Sequence, residues 1–224
     1  MEPDTAEQQE QIEKKTEPKK DKQFVYTIRD WKEYLGESLL IIFSVILALG
    51  LTEYFTSLHE KENTRTILKS IVAELKHNKI SIQEMHQYNL QVLSKIDSVI
   101  ADKKLQNDFV SNNELHLKVI APYGVLYRYL DNNAWTIAKS NNVITKIDME
   151  TVALLTKVYN DQEEIMMKLE NEVAKVIFDR ASRDPKQVGT TLILIRDIYH
   201  AWAVDRTEGL LQQIDSTIKK VDAY

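Results

Sequence analysis

Hydrophobic and polar positions follow three different patterns along this chain, and each predicts a different element. The first is a near-absence of apolar residues. Residues 1–22, MEPDTAEQQEQIEKKTEPKKDK, hold no aromatic, no valine and one isolated isoleucine, Ile12. Such a stretch cannot bury enough apolar surface to offset its ordering entropy, which predicts a disordered tail. Residues 23–35 then form an amphipathic lead-in containing FVYTIRDWKEYL.

The second pattern is a continuous apolar run. From Ser38 to Thr52 the sequence SLLIIFSVILALGLT is apolar or weakly polar throughout. Fifteen residues fall short of the roughly 20 that a helix needs to cross a bilayer, so the flanks decide the reading. Trp31 and Tyr34 precede the run, and Tyr54 and Phe55 follow it. Tyr34 to Tyr54 is about 30 Å of helix, which matches an aromatic belt at each interface. The prediction is a transmembrane helix over 36–55, with Trp31, Tyr34, Tyr54 and Phe55 as interface anchors. Glu37 and Glu53 fall near the two ends, where a carboxylate reaches water. Glu37 is the candidate polar residue at the membrane edge, able to face a partner subunit or a proton path.

Two other readings compete for the same run. Ala48 and Gly50 suit a signal-peptide cut after Gly50, although the long polar lead argues against it. A buried helix of a soluble core is the other. Ser44 and Ala48 form a small-xxx-small pair of the kind that lets spans pack closely.

The third pattern is helical periodicity without interruption. Neither glycine nor proline occurs from Leu51 to Ala121. Within that stretch Leu68, Ile71, Leu75, Asn78, Ile82, Met85, Asn89, Val92, Ile96 and Val99 alternate steps of three and four. This is a coiled-coil-like seam, in which the two asparagines can fix register or partner number at a cost in stability. It predicts a long helix over about 56–104 and a route to self-association. A less regular stretch, DKKLQNDFVSNNELHL, leads to the break at Pro122 and Gly124.

Beyond the break, a short helix is expected over about 131–140. Asp131 or Asn132 can cap it, Trp135 and Ile137 give it buried bulk, and Asn141-Asn142 can end it in the left-handed conformation. Asp148 offers the N-cap of a helix over about 148–180, with Val152, Leu155, Tyr159, Met166, Leu169, Val173 and Val176 on one face and DQEE and KLENE on the solvent side. Asp184, Pro185 and Gln187 read as N-cap, first-turn proline and capping-box partner of a last helix over about 185–221. Its apolar positions are Val188, Leu192, Ile195, Tyr199, Trp202, Leu210, Ile214 and Ile218, with Arg206 interrupting. The fold class is all-α: a transmembrane helix continuing into a long coiled-coil-like helix, packed in an antiparallel bundle over 56–224.

Composition narrows the function classes. Five glycines and four prolines in 224 residues are too few for the turns of a β-rich fold. A net charge of −5 with no basic stripe gives nucleic acid no electrostatic hold. The absence of cysteine removes disulfides, thiolate metal sites and a cysteine nucleophile. Lys19, Lys20, Lys22, Arg29 and Lys32 precede the span, against Lys61, Arg65 and Lys69 after it. By the positive-inside rule the N-terminus is cytoplasmic and the C-terminal domain periplasmic.

Gly36-Glu37 before the apolar run, the small residues Ala48 and Gly50 at its end, and the later AWTIAKSNNVITKID with its LLTKVYNDQ continuation resemble a family of bacterial single-span membrane proteins, a domain of unknown function. The resemblance extends over about 31–165. It implies the topology and carries no catalytic residue or cofactor.

The chemistry-bearing residues are sparse. Glu74-x-x-His77 and Asp197-x-x-His200 have the spacing of half-motifs in carboxylate-bridged di-iron bundles, which need such pairs projecting inward. Here they fall beside the seam positions and read as solvated surface pairs. His59, His86 and His116 form no ligand-spaced group. No GxSxG, P-loop, Rossmann fingerprint or HExxH occurs. The sequence therefore predicts no enzyme, no cofactor and no metal. It predicts a bacterial inner-membrane protein whose partners are the lipid bilayer and an unidentified protein surface, in a structural or interaction role, with a signalling accessory as the alternative.

Overall fold

The computed structural model describes residues 31–224. The tail and the first part of the lead-in lie outside the described residues. Of those described, 81% are helical and 2% are strand, so the fold is all-α with a long N-terminal helix. Compactness divides the chain into one unit ending at Tyr54 and a second from Phe55 to Tyr224.

Helix α1 is Trp31–Ala101. Its residues 31–54 are exposed throughout. The second unit begins to bury side chains at Ile67, and all ten seam positions from Leu68 to Val99 are buried. The three-and-four spacing thus marks the face on which the bundle closes, a face set by apolar burial in water.

Helix α1 ends earlier than its sequence suggests. Asp102 accepts from Lys104 N at 2.7 Å and caps a separate helix, α2, Lys103–Phe109. Next comes a two-residue hairpin of β1 (Val110–Ser111) and β2 (Glu114–Leu115), pairing Val110 with Leu115 and Ser111 with Glu114. Asn112 and Asn113 form its turn, both at positive φ, as this tight turn requires. Gly124, at φ 90, turns the chain again, and its carbonyl accepts from Tyr88 Oη at 2.7 Å.

The short helix α3 is Asn133–Ser140, ended by Asn142 at φ 55. Helix α4 is Met149–Phe178, capped by Asp148, whose Oδ1 accepts from Thr151 N at 2.9 Å. That bond and the one from the Thr151 hydroxyl hold the Asp148 carboxyl below its ordinary value. The last helical leg does not start at Pro185. Asp184 instead caps a turn through Lys186 N, and helix α5 is Val188–Tyr199. A π-helical turn over His200–Val204 then separates α5 from helix α6, Thr207–Val221.

Cross-helix bonds give the directions. Glu74 meets Tyr159 and Asn78 meets Gln162, so α1 and α4 run parallel. Lys79 pairs with Asp215 and Asp97 with Arg196, while Glu150 pairs with Lys220, so α5 and α6 run antiparallel to both. The core forms two clusters. One is built around Leu75, Trp135, Leu155 and Ile214, the other around Ile96, Phe109, Leu192 and Tyr199.

Candidate functional site

Two features stand out beyond ordinary packing. The first is the apolar segment itself. Trp31, Tyr34, Tyr54 and Phe55 are all exposed on α1, as are Leu40, Phe43 and Ile46 between them. Glu37 stands on the same helix, nearly one turn inside Tyr34. Two hydroxyls within the run bond to their own helix: Ser44 donates to Leu40 O at 2.7 Å and Thr52 to Ala48 O at 2.8 Å. Among the described residues one helix is long and apolar enough to cross a membrane, with none of its apolar window buried.

The second feature is polar and lies within the bundle. Asn78 is fully buried, and its side chain bonds to both sides of the peptide chain at Asp131. Its Nδ2 donates to Asp131 O at 2.7 Å and to Gln162 Oε1 at 2.8 Å, while its Oδ1 accepts from Asp131 N at 2.9 Å. A seam asparagine read from sequence as a register device thus anchors the segment entering α3. Gln162, placed on the solvent face by its position in DQEE, is instead buried, because that position turns toward Asn78.

Glu74 is also not a solvated surface pair with His77. Its Oε2 accepts from Ala134 N at 2.8 Å, supplying the N-terminal cap of α3, and its Oε1 accepts from Tyr159 Oη at 2.6 Å. Burial first, then the hydrogen bond and charge of Glu74, hold the Tyr159 hydroxyl far above its ordinary pKa. Tyr159 stacks on Trp135 at 5.6 Å between ring centroids. A carboxylate spent on a cap and a tyrosine is a structural group.

Between the two apolar clusters, His86 and Asn89 of α1, Gln162 of α4 and Thr207 of α6 surround a cavity of about 20 Å³, walled also by Ala203 of the π-turn. Gln162 Nε2 and His86 Nδ1 are buried without a hydrogen-bond partner among the described residues. The π-turn explains the Arg206 interruption seen in the sequence. It adds one residue to the turn, so Ala203 and Thr207 take the buried positions that Trp202 and Arg206 would occupy on a regular helix. Arg206 then lies over Trp202, 4.0 Å from the ring centroid.

Asp197 and His200 remain exposed, and no group of three or more metal-ligating side chains forms among the described residues. His116 pairs with Ser111 at 2.8 Å. No family model, curated protein or solved structure matches this chain.

Proposed function

We propose that this protein is a membrane-anchored helical domain of the bacterial inner membrane, in a structural or protein-interaction role, with its N-terminus cytoplasmic and its bundle periplasmic. The observation that carries the reading is the contrast within α1: the apolar run is exposed from end to end, whereas burial begins at Ile67. A core helix of a soluble protein would bury that run. Its length between Tyr34 and Tyr54 favours lipid as the covering phase. The seam of α1 is taken up by the chain's own α4, α5 and α6, so self-association through it gives way to contacts by exposed surface. The segment around Tyr123, Tyr127, Arg128 and Tyr129 offers the residue types that anchor protein interfaces.

Fractionation with a phosphatase fusion after Tyr224, together with labelling of a cysteine introduced at the exposed Ser216 in spheroplasts, tests the reading. Membrane-bound, active and labelled protein is expected. A shortened soluble product would mean cleavage after Gly50, and an inactive, protected one would reverse the orientation.

A second reading, a signalling accessory that passes a bundle rearrangement across the membrane, draws on the polar layer between the two clusters. Unmade hydrogen bonds at Gln162 and His86 lower the cost of repacking there. Hydrogen exchange faster around Gln162 and Ala203 than in either cluster would favour it, and uniform protection would remove its basis.

A further inference from the structure

The face of α1 that follows Phe55 carries cations the bundle does not neutralise. Lys61, Arg65 and Lys69 stand four residues apart and so share one helix face. None of the three has an ion-pair partner among the described residues. Their neighbours do: Lys146 holds Glu60 at 3.0 Å and Lys76 faces Asp222 at 3.7 Å. Glu60 and Asp222 are therefore matched by other lysines, and the three cations of the stripe outnumber Glu62, the carboxylate between Lys61 and Lys69.

Geometry turns part of that stripe into a site. Lys61 and Arg65 line a surface cavity of about 480 Å³ with Glu60, Thr64, Lys146 and Tyr224, the Glu60 carboxylate being held by Lys146. Arg65 and Lys69 line a second cavity of about 90 Å³ together with Asp222. Thr64 is unlike its neighbours: Thr66 and Ser70 donate to the carbonyl four residues back, at 2.9 and 3.1 Å, while Thr64 Oγ1 is buried with no partner. With Lys146 held by Glu60, the forked guanidinium of Arg65, the ammonium of Lys61 and the unpartnered hydroxyl of Thr64 around one cavity are the donors that a tetrahedral oxyanion takes. From Phe55, Lys61 is about 9 Å and Arg65 about 15 Å along the helix, within reach of lipid headgroups if Phe55 marks the interface.

We propose that this cavity binds a phosphate ester, supplied by the headgroup of an anionic phospholipid. The lipid as source rests on the anchored reading above, whereas the phosphate chemistry does not. The test uses the full chain and a K61Q/R65Q/K69Q variant, with fractionation of both and circular dichroism to show that the bundle is folded. Each is presented with phosphatidylcholine micelles containing phosphatidylglycerol, and retained lipid is counted by native mass spectrometry. Inorganic phosphate binding is followed separately by phosphorus NMR.

Wild-type protein should retain phosphatidylglycerol over phosphatidylcholine, and the variant should lose at least about tenfold of that preference. Arg65→Lys, which keeps the charge and loses the fork, should keep part of it. Phosphate binding lost in the variant, without lipid preference in the wild type, would assign the same site to a soluble phosphate. Equal behaviour of folded variant and wild type toward both probes overturns the proposal. A wild-type protein found in the soluble fraction would defeat the anchor, yet leave the phosphate measurement readable.

Discussion

Tyr159 donates its hydroxyl to Glu74 across α1 and α4 at 2.6 Å, and the other oxygen of Glu74 caps α3 at Ala134. One carboxylate thus ties three elements together. Tyr159→Phe removes a hydrogen bond to a charged, half-buried acceptor and should destabilise the bundle by about 2 kcal/mol, read from chemical denaturation of the full chain in detergent. A change within error would mean that Glu74 is satisfied by water.

The same tyrosine gives a pH dependence. Burial raises the hydroxyl pKa values of Tyr159, Tyr199 and Tyr88 above the ordinary 10.0. With folded values above unfolded ones, the native state keeps protons that the unfolded chain releases. Stability from this source is therefore complete below pH 10 and falls as pH rises past it. The Tm of wild-type protein should drop between about pH 9 and 11, and less so in Tyr159→Phe. Parallel curves for the two proteins would sink this account.

Asn78 makes three hydrogen bonds, and Gln162 leaves one amide hydrogen-bonding group unused. Asn78→Ala strands the Asp131 peptide groups and should cost about 3 kcal/mol. Gln162→Leu removes an unsatisfied group, leaves Asn78 bonded to Asp131, and should fall within about 1 kcal/mol of wild type. Equal losses from both would contradict the unequal satisfaction seen here.

The π-turn predicts an asymmetry between deletion and insertion. Removing Ala201 converts the turn to regular helix while keeping Thr207, Leu210 and Ile214 on the buried face, at a cost of about 1 kcal/mol. Adding one alanine at the same place rotates α6 by about 100° and should abolish its packing. Thermal melts of the two variants provide the comparison.

Val45→Arg places a charge at the centre of 36–55 and opposes insertion by about 3 kcal/mol, so the protein should shift out of the membrane fraction. Glu37→Gln at the edge should leave fractionation unchanged.

Several elements were legible in the sequence because their causes are local. The seam from Leu68 to Val99 is a matter of helical period, the cap at Asp148 of a side chain reaching three residues on, and the end of α3 of asparagine tolerating positive φ. The hairpin at Asn112-Asn113 had a local signal too, the paired asparagines between short apolar positions, in a stretch read from sequence only as less regular. Other features had no local signature. Gln162 looks solvent-facing in an acidic stretch until α1 brings Asn78 to it. Glu74 looks like half of a metal motif until Ala134 and Tyr159 arrive.

The sequence by itself determined the helical class, the apolar segment between aromatic flanks and the face of α1 that is buried, because each follows from composition and period along one element. Tertiary structure alone decided where polar groups go. A buried amide or carboxylate is satisfied by whichever element reaches it, and that partner can lie far along the chain. It also decided how the last leg meets the core: a one-residue widening of a helical turn moved Arg206 off the buried face and put Thr207 in its place.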